Sequence, residues 1–311
     1  MLRFICYRIL ALIPILFIVS LFVFSILRFS PVDPAFAYLT QSQIPPTDEA
    51  LTLTRKELGL DLPFFVQYKN WIWGLLHLDL GISYVTKNPV LNDIIYYFPT
   101  TLILTFLSML LVIVFGIFLG VFSAINKDSI FDKFLMIISF FGVSIPSFWL
   151  GYLLIYFFTI KLNLLSPYES ISASSYILPA FTLSLMSIAI NMRLMRVSYL
   201  EHQSQRSVLY AYARGLNAQR VARHHILRNS LLPIITSLGM HFGELLGGAV
   251  IVEILFGLPG FGRYAVQAIY SYDYPVIQAF MILMTILFVC INLIVDILVA
   301  YFNPKIRYQD A

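Results

Sequence analysis

The sequence predicts an all-α membrane protein with six transmembrane helices, a long outer loop and a basic hairpin on the inner side. Hydrophobic residues make up 59% of the 311-residue chain and charged residues only 12%, against roughly 25% charged residues in an ordinary soluble domain. Six stretches are mostly apolar, and five of them approach or exceed the ~20 residues that cross a bilayer as a helix. These stretches are residues 9–27, 102–125, 134–160, 177–192, 231–256 and 276–302.

The first apolar stretch is expected to stay in the membrane as a helix. It continues through Phe22, Phe24 and Ile26 to Arg28, whereas a secretory signal has a shorter apolar run and a small-residue cleavage site. The chain is therefore divided into an N-terminal segment with the first span, an extracytoplasmic loop region, and a five-helix transmembrane core that includes the loop 193–230. These three parts are residues 1–29, 30–98 and 99–311.

The basic residues predict which side of the membrane each loop occupies, because Lys and Arg near membrane ends stay on the cytoplasmic side. With the N-terminus inside, the inner segments hold 13 of the 20 Lys and Arg residues. The outer loop 30–98 carries only four of them, together with seven Asp or Glu residues. Both termini are therefore predicted to be cytoplasmic.

Neither charge nor cysteine usage indicates a further partner class. The net charge of +4 is spread along the chain, and no dense basic and aromatic tract suggests a nucleic acid. Cys6 lies at the start of the first apolar segment and Cys290 inside the last stretch, so neither spacing nor location indicates a disulfide framework or a thiolate metal site.

The outer loop has helical patterning. Thr47 precedes Asp48 and Glu49, which predicts a capped helix that ends near Gly59. A second helix is predicted over residues 64–78, where Trp and His residues among Leu and Ile suit a helix at the membrane interface.

The inner loop 193–230 carries seven Arg residues and one acidic residue, Glu201. Such a run is usually a solvated face or a contact with lipid headgroups. Here the pattern adds a predicted helix over residues 199–214, a left-handed turn at Gly215 and a helix capped by Asn217. Small residues around the turn would let this hairpin fit closely against another protein.

The hairpin sequence AYARGL at residues 211–216, followed by HHILRNSLLP at residues 224–233, resembles the cytoplasmic loop of ABC importer membrane subunits. The similarity continues through most of the chain and indicates the first membrane subunit of the peptide and nickel permease family. Leu227 and Arg228 stand where the general motif has Leu-Pro, which leaves the end of the second hairpin helix open. Further matching segments lie at residues 1–4, 59–63, 67–68, 79–83, 243–248, 258–264, 273–278 and 303–307.

This resemblance implies the type I ABC importer permease fold in a bacterial inner membrane. It also implies a second homologous permease subunit, two ATP-binding subunits and an external solute-binding protein as partners, besides membrane lipid. The chain has no phosphate-binding loop of its own, so it is expected to be no enzyme and to bind no cofactor, with ATP and Mg held by the partner ATPases. The residues expected to couple to them are Tyr210, Ala211, Ala213, Arg214, Gly215 and Leu216.

Within the family, segments such as GMHFGE at residues 239–244 are similar to the nickel importer, which implies nickel cargo, carried as a small chelate. At about 100° per residue, Gly239, Gly243 and Gly247 form one face for helix packing. His241, Glu244 and Gly248 share the opposite face. Because an ionised Glu facing lipid costs roughly 3 kcal/mol, His241 and Glu244 either meet a metal in passing or form a buried polar pair that holds helices together.

Other polar residues are weaker candidates for the translocation path: Asn191 near the inner end of the fourth span, and Asn292 and Asp296 in the sixth. Structural bonding between helices is the favoured role for them. Arg263, Tyr264 and Asp273 lie between the last two spans and are candidates for an outer gate or a contact with the binding protein.

Three other functions stay open. An oligopeptide or dipeptide permease of the same family would need a roomier path and groups that read a peptide backbone. A membrane-embedded redox or enzyme subunit would need paired intramembrane histidines, whereas only His241 lies in a predicted span. An ion channel would have no evident use for the basic hairpin.

Overall fold

The computed structural model describes the backbone of residues 2–164 and 173–302 and the side chains of residues 10–164 and 173–301. The predicted motif at residues 303–307, both chain ends and the Cys6 side chain lie outside this part. Within it the chain is helical apart from one isolated bridge between Ile82 and Pro89. The α-helices are α1 Leu2–Arg28, α2 Pro34–Gln41, α3 Asp48–Glu57, α4 Phe64–Leu76, α5 Val90–Ile125, α6 Ile130–Ser144, α7 Ser147–Leu154, α8 Ile177–Gln203, α9 Arg206–Ala213, α10 Ala218–Val221, α11 Arg228–Phe256, α12 Phe261–Tyr270 and α13 Tyr274–Phe302.

Five helical segments of the described chain are long and apolar enough to cross a membrane, and they match five of the six predicted spans. They are Leu10–Arg28, Val90–Ile125, Ala173–Gln203, Ala218–Phe256 and Tyr274–Tyr301. The all-helical membrane architecture is therefore confirmed.

The continuous third span predicted over residues 134–160 is wrong. The structure has α6 and then α7 with a π-helix, Ile155–Lys161, and the two arms differ in direction by 105°. The break falls at Ile145, which is extended (ψ 122°) before Pro146, because a residue that precedes proline is pushed out of the helical region. The two arms meet the length and hydropathy required of a membrane span only when they are taken together.

The predicted helices of the outer loop are present. The Thr47 hydroxyl accepts a hydrogen bond from the Ala50 backbone N–H at 3.3 Å and so caps α3. After α3, Gly59 has a φ of +63°, a value that glycine adopts without a Cβ penalty. α4 begins at the predicted Phe64 and ends two residues before the predicted end.

The chain divides into two compact units. Unit 1 comprises Met1–Ile5, Leu102–Leu258 and Cys290–Ala311, and unit 2 comprises Cys6–Thr101 and Pro259–Val289. The core of unit 2 contains buried residues from the start of α5, from α12 and from α13, among them Val90, Phe261 and Val276. An aromatic cluster joins α1 to α4, where the Phe24 ring lies 5.4–5.5 Å from the rings of Phe64, Tyr68 and Trp71.

Two glycines bring α5 unusually close to α8 in unit 1. A Cβ at Gly116 would lie 2.8 Å from the Cβ of Asn191, and one at Gly120 would lie 2.6 Å from the Cβ of Met195. Glycines four residues apart form one face of a helix, which permits this close approach of two backbones. The glycine packing face predicted from the sequence was on the fifth span, and the close contact of α5 with α8 was not predicted.

A buried ion pair joins α6 to α8 in unit 1. Arg196 donates from Nε and Nη2 to the two carboxylate oxygens of Asp132, at 2.8 and 2.6 Å. Asp132 also accepts from the Ser123 hydroxyl on α5 and from the Asp128 backbone N–H. Because α8 continues to Gln203, the inner loop predicted to begin at residue 193 begins only after this helix, and Arg196 belongs to the helix bundle.

Removing one member of this pair should destabilise unit 1. We expect Arg196→Met to lower the free energy of unfolding by about 3–5 kcal/mol, because it leaves the Asp132 carboxylate buried without its counter-charge. The Arg55–Asp33 pair of unit 2 is an exposed control at 2.5 Å, where Arg55→Met should cost less than about 1 kcal/mol. Thermal or denaturant unfolding of the purified protein measures both. An equal loss of unfolding free energy in the two variants would contradict a buried ion pair between Arg196 and Asp132.

Candidate functional site

The predicted hairpin is present between α8 and α11, with one difference. Its first helix is not continuous over residues 199–214, because α8 ends at Gln203 and α9 begins at Arg206. The turn is as predicted: Gly215 has a φ of +81° and the Asn217 side chain accepts a hydrogen bond from the Arg220 N–H at 2.9 Å. The second helix continues through a π-helix, Ala222–Leu227, directly into α11. The second hairpin helix therefore does not end at Leu227 or Arg228.

The hairpin has a core that it shares with three membrane helices. This core joins hairpin residues to Ala124 of α5, Met195 of α8 and Ile234 of α11. The buried hairpin members are Val208, Ala211, Val221 and Ile226. Ala211 is only 4% exposed, so its small side chain packs inside the hairpin and is not presented on the surface, in contrast to the expected docking role.

The other predicted coupling residues form an open face. Tyr210 is 67% exposed, and Ala213, Arg214 and Gly215 are exposed too, whereas Leu216 is half-buried. The neighbouring Tyr212 is also exposed. A cavity of about 480 Å³ opens beside them. Its walls also include Ser207 and His225, which are not among the predicted coupling residues. The lining residues are Ser207, Tyr210, Ala211, Ala213, Arg214, Leu216 and His225.

The surface of the hairpin is basic. Five of the seven Arg residues of the predicted loop remain exposed, whereas Arg193 is half-buried and Arg196 pairs with Asp132. Glu201 is the single acidic residue in this region. The exposed face therefore combines aromatic rings with positive charge, which suits contact with an acidic protein surface. The five exposed residues are Arg206, Arg214, Arg220, Arg223 and Arg228.

The glycines of α11 do not divide into the two predicted faces. Gly239 packs closely, since a Cβ there would lie 2.8 Å from the Asn292 side-chain oxygen on α13. Gly247, predicted for the same packing face, has no neighbouring atom within 4 Å of that position. Gly248, predicted to face the path, instead packs against Leu183 of α8, 2.8 Å from its would-be Cβ.

His241 and Glu244 do lie together on α11. The imidazole Nδ1 is 2.9 Å from the Glu244 carboxylate, as their spacing of three residues allows. His241 is 3% exposed, whereas the Glu244 side chain is 53% exposed. The His241 Nε2 is buried and has no hydrogen-bond partner among the described residues. The pair therefore presents one open carboxylate, oriented by a buried imidazole.

The remaining path candidates lie at helix contacts. Asn191 is fully buried and accepts a hydrogen bond from the Ser237 hydroxyl of α11 at 2.7 Å. Asn292 faces Gly239, and Asp296 one turn further along α13 is half-buried. Asn191 and Asn292 thus hold helices of unit 1 together, the role that the sequence favoured for them.

The three residues predicted for an outer gate belong to unit 2, where two of them are buried. Tyr264 donates to the Asp93 carboxylate at 2.6 Å, and burial raises the pKa of the Tyr264 phenol, so it stays protonated. Asp273 is 1% exposed and accepts from the Ser83 hydroxyl at 2.6 Å. These contacts give Tyr264 and Asp273 structural roles, while Arg263 is half-buried. An outer gate or a contact with the binding protein stays a prediction for these three residues.

Comparison with family models matches two parts of the chain. Residues 116–308 match the model of the binding-protein-dependent transport system inner membrane component. Residues 1–105 match the N-terminal model of the membrane component of the same kind of system.

The chain is also similar over its full length to curated relatives. It is 39% identical over 310 residues to the glutathione transport system permease protein GsiC of Escherichia coli K12, which covers 99% of this chain and 100% of the relative. The protein of the same name from Shigella flexneri serotype 5b is 38% identical over the same length.

Among solved structures, the MetNI methionine ABC transporter in inward-facing conformations is similar in fold. The TM-score is 0.57 with 19% identity, over 70% of this chain and 99% of that chain. The match supports the helical ABC permease fold, and membership of the family implies ATPase and binding-protein partners. The chain therefore belongs to the family of inner-membrane components of binding-protein-dependent transport systems, as a multi-pass ABC importer permease subunit that is not itself an ATPase.

Proposed function

We propose that this subunit forms half of the path through which an ATP-driven importer takes up a short peptide such as glutathione. The observation that carries the proposal is the 39% identity, over the full length of both chains, to permeases named for glutathione transport. This support favours a peptide, the alternative at the sequence level, over the nickel chelate that short motifs indicated.

The polar groups on α11 suit a peptide better than a metal. Nickel handling there would depend on the two ligands His241 and Glu244, and the described residues contain no group of three or more His, Cys, Asp or Glu placed to hold a metal ion. A peptide instead carries an ammonium group, which the open Glu244 carboxylate can accept as a charge-assisted hydrogen bond. Glu244 would then contact the cargo, and His241 would position Glu244.

The hairpin is proposed as the contact with the ATPases. Its basic and aromatic surface would lie on the cytoplasmic side, together with both chain termini, and would dock into an acidic groove on an ATP-binding subunit. A second homologous permease subunit would complete the path, and a solute-binding protein would deliver the peptide from the opposite side. Movement of the two ATPases would thereby reach the membrane helices through the hairpin.

Uptake by the complete transporter in proteoliposomes tests the cargo. With the solute-binding protein present, we expect ATP-dependent uptake of radiolabelled glutathione and no uptake of radioactive nickel. Glu244→Gln should lower peptide uptake about tenfold, because a hydrogen bond to a charged group contributes about 1.5–3 kcal/mol. Glu57→Gln is the matched control, since it removes an exposed carboxylate of α3, outside both α11 and the hairpin, and should leave uptake unchanged.

His241→Ala should have a smaller effect on uptake than Glu244→Gln if the imidazole only orients the carboxylate. Both variants must assemble with the ATPases to the same extent as the unmodified chain, measured by co-purification. Nickel uptake without peptide uptake would overturn the peptide proposal. Normal peptide uptake by Glu244→Gln would leave the cargo assignment intact, and it would show that Glu244 does not contact the cargo.

A further inference from the structure

Arg28, the last residue of α1, has no partner for its Nε. The guanidinium is half-buried in unit 2, and this Nε is buried without a hydrogen-bond partner among the described residues. The Arg28 guanidinium carbon lies 5.1 Å from the centre of the Phe24 ring, a cation–π contact. Because buried polar groups are almost always satisfied, the unsatisfied Nε–H of this cation indicates an acceptor, and an anion is the acceptor that a guanidinium binds best.

The carboxylates near Arg28 are already engaged. Asp33 accepts from the Arg55 guanidinium at 2.5–2.8 Å and from the Ala35 backbone N–H at 2.9 Å. Asp79 accepts from the Gly81 backbone N–H at 3.0 Å. Neither forms an ion pair with Arg28 in the described part of the chain, so the positive charge of Arg28 stays available.

A cavity of about 230 Å³ opens beside Arg28. Its wall is rich in aromatic rings and in side chains that can donate hydrogen bonds. Burial raises the pKa of the Tyr84 phenol above its usual range, so the phenol stays protonated and can donate to an anion. The lining residues are Leu27, Arg28, Asn70, Trp71, Gly74, Asp79, Leu80, Gly81, Tyr84, Tyr274, Pro275 and Gln278.

The position of Arg28 on α1 indicates the source of the anion. Arg28 ends the apolar span Leu10–Arg28, and the side chains of Ile18, Phe22 and Ile26 on that span are 55–64% exposed. At the same end of the span Phe29 is 78% exposed, and on α4 the side chains of Phe65 and Trp73 are also exposed. Exposed aromatic residues at the end of a span are typical of the membrane–water interface, which is the depth of lipid phosphates.

We propose that Arg28 and this cavity bind the phosphate group of a phospholipid. The guanidinium forms charge-assisted hydrogen bonds with the phosphate oxygens, with Tyr84 as a further donor. Asp79 on the wall accepts from a hydroxyl or ammonium of the headgroup. The acyl chains lie along the exposed apolar residues of α1. This site is separate from Glu244 and does not depend on the identity of the cargo.

Lipid binding to the complete transporter tests the site. The complex is purified in detergent and titrated with phosphatidylglycerol, and retained lipid is counted by native mass spectrometry. We expect Arg28→Gln to weaken retention of one lipid per subunit about tenfold, whereas Arg28→Lys, which keeps the charge, should weaken it less. Lys56→Gln is the matched control, because Lys56 is an exposed cation of unit 2 that does not line this cavity, and it should bind as the unmodified chain does.

A second measurement covers the case in which Arg28→Gln assembles poorly. Adding phosphatidylglycerol should raise the Tm of the unmodified complex and of Lys56→Gln, and raise it less in Arg28→Lys. Inorganic phosphate at the same concentration should neither raise the Tm nor displace the lipid. Equal lipid retention in the unmodified chain and Arg28→Gln would overturn the proposal. Displacement by inorganic phosphate would also overturn it, since the anion would then come from solution.

Discussion

Gly120→Leu should prevent unit 1 from folding, the largest effect that we expect from a single substitution. A Cβ at Gly120 would lie 2.6 Å from the Met195 Cβ and 2.7 Å from the Met192 carbonyl oxygen. The carbonyl belongs to the α8 backbone and cannot rotate away, so α5 and α8 would have to separate. Even Gly120→Ala should cost about 1–3 kcal/mol as overpacking. Folded protein in the membrane, measured by size-exclusion of a fluorescent fusion, should fall at least about tenfold for Gly120→Leu.

Gly247→Leu provides the matched control for this prediction. Gly247 is also a glycine of a membrane helix in unit 1, but a Cβ there meets no atom within 4 Å. The isolated chain should therefore fold with leucine at this position as well as with glycine. Similar yields and melting temperatures for Gly120→Leu and the unmodified chain would show that α5 and α8 do not pack as closely as described.

Gly215→Val should abolish coupled transport, with uptake reduced at least about tenfold. A left-handed φ of +81° costs a residue with a Cβ about 1–2 kcal/mol and is especially unfavourable for a β-branched side chain. The position itself is open, since nothing lies within 4 Å of a would-be Cβ. Valine would therefore distort the turn and also project from the proposed docking face. Uptake and ATP hydrolysis by the reconstituted transporter measure the coupling, and co-purification of the ATPases measures assembly.

Gly215→Asn separates the two effects of valine. Asparagine tolerates the left-handed conformation, so the turn should keep its shape while a side chain still projects from the face. Loss of coupling in both variants assigns the requirement to close contact with the partner, whereas loss in Gly215→Val alone assigns it to the shape of the turn. Normal transport and assembly in Gly215→Val would contradict the coupling role of the hairpin.

Features determined by neighbouring residues could be predicted from the sequence. The cap at Thr47, the left-handed turn at Gly215 and the cap at Asn217 each depend on residues at most four positions apart. The same holds for the contact between His241 and Glu244, since helical spacing alone brings them together. Five of the six predicted spans match helical segments, because hydrocarbon thickness fixes the length of a spanning helix. The break at Pro146 could also have been recognised, since proline marks a probable helix boundary.

Features that depend on which helices meet could not be predicted from one sequence. The partner of Arg196 lies 64 residues away in α6, and nothing in the charge pattern of the loop distinguishes Arg196 from its exposed neighbours. Spacing on α11 showed that Gly239 and Gly247 share a face, but not that α13 covers only Gly239. For the same reason Ala211 was assigned to the outer surface, although tertiary packing places it inside the hairpin core.

The hairpin is mechanically coupled to the membrane helices through the core that it shares with them. Because Ala124, Met195 and Ile234 are packed into the same cluster as the hairpin, a force on the hairpin acts on the ends of α5, α8 and α11 together. The 29 residues of α11 extend about 43 Å at 1.5 Å per residue. A tilt of about 5° at the hairpin would then displace the far end of α11 by about 4 Å. If the hairpin contacts the ATP-binding subunits as proposed, a small rotation of those subunits would be amplified across the bilayer.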